Sequence, residues 1–220
     1  MTKEENYLTI KENGWHEIVI KKSRFIATLA RTETVEDAEK VIAAVSKKYH
    51  DATHNTFAYT IGLNDDHVKA SDNGEPSGTA GVPELKALQL MKLKNVTVVV
   101  TRYFGGIKLG AGGLIRAYSN SVTKGAESIG VVKRVLQQEL SFHVAYNRFD
   151  EVNHFLTNEQ IYVEKITYGV DVVIHLFINE QEQAELEEKL SNLLAGKVTF
   201  TKGEKRYNEI EITDHHYHEH

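Results

Sequence analysis

The chain has 220 residues, of which 41% are hydrophobic, and it contains no cysteine. This length and composition suit one large or two modest domains, and the lack of cysteine excludes disulfide frameworks, thiolate metal sites and cysteine nucleophiles. No apolar run approaches the roughly 18 residues that cross a bilayer, and the first residues lack the pattern of a signal peptide. We therefore expect a globular protein of the cytoplasm with no membrane partner.

The net charge of −5 is unevenly distributed along the chain. Residues 1–134 carry 19 Lys and Arg against 15 Asp and Glu, whereas residues 135–220 carry 7 against 16. A basic half and an acidic half indicate two domains with different partners, and the basic half is the one suited to a polyanion. Ordinary solubilising surface charge explains the same balance, because dedicated nucleic-acid binders are far more basic than this.

The first third of the chain contains clear signals for strands and a helix. Apolar and polar residues alternate from His16 to Thr32 across a break at Lys21, which predicts a strand, a bend and a second strand. Thr34 is a favourable N-cap for a helix that has acids in its first turn and bases in its last. A further strand is predicted from Asn55.

The segment from Lys69 to Tyr118 holds both prolines and eight of the 15 glycines of the chain. Because glycine permits positive φ and close approach while proline fixes φ, this clustering predicts two loops with specified backbone shapes. Pro83 suits the first turn of a helix, and the β-branched run Val96–Phe104 is typical of a strand buried on both faces. A second helix is predicted over residues 114–128, so each loop leads into a helix N-terminus.

The pattern after Val135 predicts the order strand, helix, strand, strand, helix, strand, which is the βαββαβ order of ferredoxin-like domains. The predicted fold class is therefore α+β with two domains. The predicted boundaries are residues 1–132 for the N-terminal domain, residues 133–213 for the ferredoxin-like domain and residues 214–220 for a disordered histidine-rich tail.

The second glycine loop has the composition of an anion site. It reads RYFGGIKLGAGGLIR and combines five glycines with Arg102, Lys108 and Arg116 at the start of a predicted helix. Free backbone amides, a helix dipole and cations together favour phosphate. The loop has neither the Gly-Lys-Ser/Thr triplet of a Walker loop nor the Rossmann spacing. The architectural alternative is that the glycines permit close helix–strand packing and that the cations are only solvated.

The first glycine loop carries two carboxylates. Asp72 and Glu75 could hold a divalent metal or serve as acid and base near a phosphate, or Asp72 could instead cap the loop with its own side chain. His50 and His54 have the spacing of metal ligands on a helix, but the helix is expected to end between them and no third ligand is apparent in the sequence. We therefore assign no metal site and no cofactor.

The two loops together resemble the signature of the IMPACT/YigZ family. SDNGEPSGTAGVP is followed further along the chain by VVVTRYFGGIKLGAGGLIRAY, and DATHNTFAYTIG precedes both. The resemblance spans residues 14–130, and the βαββαβ order agrees with the small C-terminal domain of bacterial members. It implies an N-terminal domain like the second domain of a small-subunit ribosomal protein, a fold shared with GHMP kinases and with a domain of elongation factor G.

The resemblance designates two sets of site residues. The first motif corresponds to Asp72, Gly74, Glu75, Pro76, Gly78, Thr79, Gly81 and Pro83. The second motif, the expected anion or nucleic-acid site, corresponds to Arg102, Tyr103, Gly105, Gly106, Lys108, Gly110, Gly112, Gly113 and Arg116. Asn73 departs from the family, which commonly has a second aspartate there, and this departure argues against an obligatory metal site of two carboxylates.

Two functions are compatible with these residues. The resemblance implies a translation-related regulatory protein, and together with the basic first half it predicts binding to RNA or the ribosome through phosphate contacts. The alternative is an enzyme that acts on a phosphorylated small molecule or nucleotide, with Asp72 or Glu75 on magnesium. The acidic second domain could also bind a protein partner through its ELEEKL helix, or could present that face only to solvent.

Overall fold

The computed structural model describes residues 6–213, and over these residues the chain forms ten strands and five helices. The described residues divide into two compact units. One comprises the residues up to Arg134 together with those from Glu209, and the other is Val135–Asn208. The predicted α+β class with two domains is confirmed. The predicted histidine-rich tail, residues 214–220, lies outside the described residues.

Five strands form an antiparallel sheet in the first unit, in the spatial order β2-β3-β6-β4-β5. They are β2 (Gly14–Ile20), β3 (Ser23–Arg31), β4 (His54–Ile61), β5 (His67–Ser71) and β6 (Val96–Tyr103). The predicted strand, bend and strand correspond to β2 and β3, and the predicted buried strand is β6 at the centre of the sheet. The sequence did not predict β5, because this edge strand is polar and largely exposed.

Helices cover both faces of this sheet. Helix α1 (Val35–Lys48) packs on one face, and Thr34 caps it by accepting the Asp37 N–H at 3.1 Å, as predicted. Helices α2 (Gly81–Leu90) and α3 (Ala111–Ile129) pack on the other face. Because successive strand residues point to opposite faces, alternate residues of β6 contact the α2/α3 layer. Arg102 at the end of β6 belongs to that alternate set.

The second unit has the predicted βαββαβ order. Its elements are β7 (Val131–Val144), α4 (Tyr146–Asn158), β8 (Val163–Tyr168), β9 (Val172–Asn179), α5 (Gln183–Leu193) and β10 (Phe200–Ile212). The spatial order β10-β7-β9-β8 is that of a ferredoxin-like sheet. Apolar residues alternate along β9, and one face of the sheet forms a separate core with the helices.

The largest differences from the predicted elements lie at their ends. The first four residues of β7 pair with β1 (Tyr7–Ile10), a strand that the sequence did not predict, so the boundary between the units falls inside a strand. Helix α2 ends at Leu90, and Lys92 and Asn95 then adopt positive φ of 54° and 57°. Among residues 6–213, no helix is both long enough and apolar enough to span a bilayer.

Candidate functional site

Asp72 organises the first loop from within. Its Oδ1 accepts hydrogen bonds from the N–H groups of Ala80 (3.0 Å) and Gly81 (2.9 Å), and its Oδ2 accepts one from Gly78 (2.8 Å). Burial alone raises the pKa of Asp72, but these three donors outweigh it and hold the pKa below its ordinary value. A side chain of the protein therefore already occupies the N-terminus of α2, and Asp72 has little capacity left for a metal ion.

Glu75 connects the first loop to the sheet and to α3. Its Oε1 accepts a hydrogen bond from Arg102 Nη1 at 2.6 Å and another from the Tyr118 hydroxyl at 2.6 Å. The side chains of Glu75 and Arg102 are only 3% and 7% exposed. Arg102, which the sequence analysis placed in the anion site, therefore has an intramolecular partner, and Glu75, which the alternative function would place on magnesium, has two.

Aromatic rings complete the surroundings of this ion pair. The Arg102 guanidinium lies 5.4 Å from the centre of the Phe25 ring and 5.5 Å from that of Phe104. The rings of Phe25 and Tyr118 meet edge to face at 5.3 Å. Burial and the hydrogen bond to Glu75 raise the pKa of Tyr118, so its hydroxyl remains a donor at any ordinary pH. We call Glu75, Arg102, Tyr118 and Phe25 the buried ionic cluster; Phe104 is exposed and lies at its edge.

Glu84 is a second buried carboxyl group below the first loop. It is fully buried on α2 and contacts the Thr56 hydroxyl, whose oxygen also lies 3.1 Å from the Val100 carbonyl. A hydroxyl has one proton, so both contacts are satisfied when a neutral Glu84 donates to Thr56 and Thr56 donates to Val100. Burial raises the pKa of Glu84 well above its usual range; a hydrogen bond donated by Thr56 to the ionised carboxylate would oppose this rise, and the charge of Asp72 adds to it.

Asn73 and His54 close the first loop against the sheet. The Asn73 side-chain amide donates to the Asn55 carbonyl at 2.7 Å, and the Asn73 carbonyl lies 3.1 Å from His54 Nδ1. An aspartate at position 73 could not donate that first hydrogen bond. Helix α1 ends at Lys48, before His50, and His54 begins β4, so the prediction that the helix ends between the two histidines is wrong and neither histidine lies on the helix.

The second loop is fixed at its start and open further along. Gly105 is packed so closely that a Cβ would lie 2.0 Å from the Lys22 carbonyl carbon, and its N–H donates to Ser23 Oγ at 3.1 Å. In contrast, a Cβ at Gly106, Gly110 or Gly112 would meet nothing within 4 Å. Close packing therefore accounts for Gly105, whereas the later glycines of the loop lie on an open surface.

The N-terminus of α3 lacks the capping that α2 has. Gly110 precedes the helix with a φ of 73° and provides no side-chain cap. The first intrahelical donor is Leu114, whose N–H bonds the Gly110 carbonyl at 2.9 Å. Within the described residues, the N–H groups of Ala111, Gly112 and Gly113 have no protein acceptor, which leaves three donors and the positive end of the helix dipole facing outward.

Exposed side chains surround this helix end. Lys108 and Arg116 are exposed, and neither forms an ion pair with the described carboxylates. Phe104 and Ile107, which the sequence analysis did not single out, are 47% and 42% exposed. The one sequence signal for Phe104 is its place between the buried strand and the glycines, where an aromatic residue has no core to enter.

The remaining predicted residues support the two loops. Thr79 donates its hydroxyl proton to the Pro76 carbonyl at 2.6 Å, and Pro83 lies in the first turn of α2. Tyr103 donates to Asp51 at 2.8 Å on the α1 side of the sheet, away from the α2/α3 layer. A Cβ at Gly113 would lie 3.0 Å from Leu109, so this glycine permits a tight turn.

Comparisons with known proteins agree with this architecture. The family model of the Impact N-terminal domain matches residues 21–126, and that of a domain of unknown function, DUF1949, matches residues 142–197. The IMPACT family member YvyE of Bacillus subtilis is 46% identical over 204 residues, which is 93% of this chain and 94% of YvyE. The chain belongs to the IMPACT family. The predicted family resemblance is thereby confirmed.

Other relatives in the IMPACT family differ in how much they share. The member YigZ of Escherichia coli is 33% identical over 81% of this chain and 89% of its own length. Protein IMPACT of Rattus norvegicus is 38% identical over 42% of this chain but only 30% of its own length. A crystal structure described as that of a hypothetical protein has a TM-score of 0.57 and 30% identity, covering 91% of this chain and 98% of the other.

We expect removal of one partner from the buried ionic cluster to destabilise the fold strongly. Glu75→Gln leaves the Arg102 charge buried without a counter-charge and should cost about 3–5 kcal/mol, whereas Tyr118→Phe removes one hydrogen bond to a charged group and should cost about 1.5–3 kcal/mol. Urea unfolding measures both. Tyr103→Phe, which removes the exposed bond to Asp51, is the control and should change the free energy of unfolding by about 0.5 kcal/mol or less. Equal losses in all three variants would contradict the cluster's role.

Protonation of Glu84 should make stability depend on pH. Because its folded-state pKa is raised, its contribution is complete below the unfolded-state value of 4.5 and declines as pH rises toward the folded-state pKa. Glu84→Gln stays neutral, so its stability relative to the wild type should increase with pH above about 4.5 by at most ~1.4 kcal/mol per pH unit. Chemical unfolding from pH 4 to 8 tests this. The exposed Glu39→Gln on α1 is the control, and an identical pH profile for wild type and Glu84→Gln would refute a neutral Glu84.

The glycines of the second loop should separate into two classes. Gly105→Ala forces a Cβ into the Lys22 backbone and should destabilise the fold by at least ~2 kcal/mol. Gly112→Ala meets open space inside a helix and should be neutral or stabilise by up to ~1 kcal/mol. Thermal unfolding of the two variants compares them. A large loss at Gly112 would show that the start of α3 is packed rather than open.

Proposed function

We propose that the first unit binds the phosphate backbone of RNA at the N-terminus of α3, and that this binding supports a translation-related role. The observation that carries the proposal is the uncapped helix end, where three N–H donors lie between the exposed cations Lys108 and Arg116. Free amides, the helix dipole and cations favour the same ligand, a phosphate group. The N-terminus of α2 offers no comparable site, because Asp72 fills it.

The openness of the surface favours a polymer over a small molecule. Gly106, Gly110 and Gly112 leave space above the backbone, so a phosphate with continuing chain on both sides could approach. The exposed ring of Phe104 stands at the start of the same loop, and aromatic rings beside cationic loops serve as stacking platforms for unpaired bases. These features support single-stranded RNA as the ligand.

The alternative of an enzyme for phosphorylated small molecules lacks an equivalent support. It relied on Asp72 or Glu75 to ligate magnesium, and both carboxylates are engaged with protein donors. We therefore give RNA binding precedence. The translation-related role rests on membership of the IMPACT family, and binding to the ribosome would follow from the same phosphate contacts.

A titration of labelled single-stranded RNA against the full chain tests the proposal. We expect binding that weakens steeply between ~50 and ~200 mM salt, because counterions are released from the RNA. The double variant Lys108→Ala with Arg116→Ala should bind about tenfold or more weakly at low salt, and the slope of log K against log salt should fall by about 2. Fluorescence anisotropy gives both quantities.

Matched variants distinguish RNA binding at the second loop from RNA binding through the general positive charge of the first unit. Lys47→Ala with Lys48→Ala removes two exposed cations from α1, on the opposite face of the sheet, and should leave binding within about twofold. Phe104→Ala should weaken the binding of single-stranded RNA more than the binding of duplex RNA. Equal losses from the loop and α1 variants, or no binding at low salt, would refute the proposal. Thermal stabilisation by a sugar phosphate but not by RNA would favour the enzyme instead.

A further inference from the structure

A groove runs along the outer surface of helices α2 and α3. Its volume is about 840 Å³, and its lining along α3 extends from Ile115 to Glu127. At 1.5 Å per helical residue this is a length of roughly 18 Å, about three turns of a helix. The groove is thus long enough for a short peptide helix.

Aliphatic side chains in this groove are unusually exposed. Val82 and Leu90 on α2 are 44% and 65% exposed, and Ile115 on α3 is 42% exposed. Val82 and Leu90 are eight residues apart, so they lie on one stripe of α2 with Lys86 between them. Clusters of exposed aliphatic residues that are rimmed by polar ones mark protein interaction sites.

The charges in the groove are predominantly positive. Lys86, Arg116 and Lys124 line it, and Glu127 is the one carboxylate among its lining residues. Within the described residues, none of these three cations forms an ion pair, whereas Arg24, Arg31 and Lys94 of the same unit all do. A partner that fills this groove must therefore offer both apolar and acidic side chains.

We propose that the groove binds an acidic amphipathic helix of about three turns from a protein partner. Its apolar stripe would cover Val82, Leu90 and Ile115, and its acidic residues would pair with Lys86 and Lys124. Helices commonly bind in grooves through anchors at i, i+3/i+4 and i+7, and complementary charge accelerates the encounter and fixes the orientation. Among the described residues that line the groove, none is an aromatic residue on which a base could stack, which favours a peptide over RNA.

The groove and the RNA site share Arg116 but can be tested separately. Leu90, Lys86 and Lys124 take no part in the uncapped helix end, so variants at these three positions test the groove alone. Arg116 is left unchanged, because it belongs to both surfaces. If RNA binding fails, the groove can still bind a peptide. If peptide binding fails, the RNA site can still bind RNA.

Peptide display against the full chain tests the proposal. Sixteen-residue random peptides are selected, and the strongest binders are then synthesised and measured by fluorescence anisotropy. We expect enrichment of Asp and Glu together with aliphatic or aromatic residues at helical spacing. Leu90→Asp should weaken the binding of these peptides at least tenfold. The double variant Lys86→Glu with Lys124→Glu, tested separately, should do the same. Both sets of positions are on the surface, and circular dichroism checks that each variant is folded.

Control variants carry the same substitutions elsewhere on the first unit. Val19→Asp on β2, 62% exposed, and Lys47→Glu with Lys48→Glu on α1 should leave peptide binding within twofold. The proposal is overturned if selection enriches basic peptides or none, or if the binders tolerate the groove variants. It is also overturned if sedimentation shows a dimer that Leu90→Asp dissociates, because a second copy would then occupy the groove.

Discussion

The ion pair between Glu75 and Arg102 is the interaction on which the first unit depends. It joins a loop, the end of the central strand β6 and, through Tyr118, helix α3 at one carboxylate oxygen. Burying two charges is costly, and a buried pair often adds little net stability compared with apolar residues of the same shape. Its contribution here is to geometry, because Glu75 in the first loop is bonded to β6 through Arg102 and to α3 through Tyr118 at the same time.

The N-termini of α2 and α3 differ in whether their N–H groups have a protein acceptor. Both follow glycine-rich loops, yet Asp72 fills the first with three hydrogen bonds, whereas Gly110 leaves the second without a cap. The difference follows from one carboxylate placed six to nine residues before the donors it accepts from. The first helix end is satisfied by the protein itself, whereas the second leaves its N–H donors on the surface, which is why the proposed RNA site is placed there.

The sequence could predict the elements whose signals are local. Thr34 with its flanking charges specified α1, the β-branched run specified β6, and the periodicity after Val135 specified the βαββαβ order. The short strand β1 was missed because its pairing partner β7 lies far along the chain, and the edge strand β5 was missed because it is polar and largely exposed. Both segments are also too short to show a clear alternation of apolar and polar residues.

The sequence predicted less of the candidate site than of the fold. In the sequence, Arg102, Lys108 and Arg116 are three similar cationic residues. Only the fold shows that β6 places Arg102 in the protein interior, while Lys108 and Arg116 are exposed. Tyr118 is apolar in pattern, and its role depends on a carboxylate 43 residues earlier. An Arg102 variant that loses RNA binding would therefore not identify Arg102 as a phosphate ligand, because it would also remove one of the bonds that hold the first loop to the sheet. Only residues that the fold can spare, such as Lys108 and Arg116, can report on contact with the ligand itself.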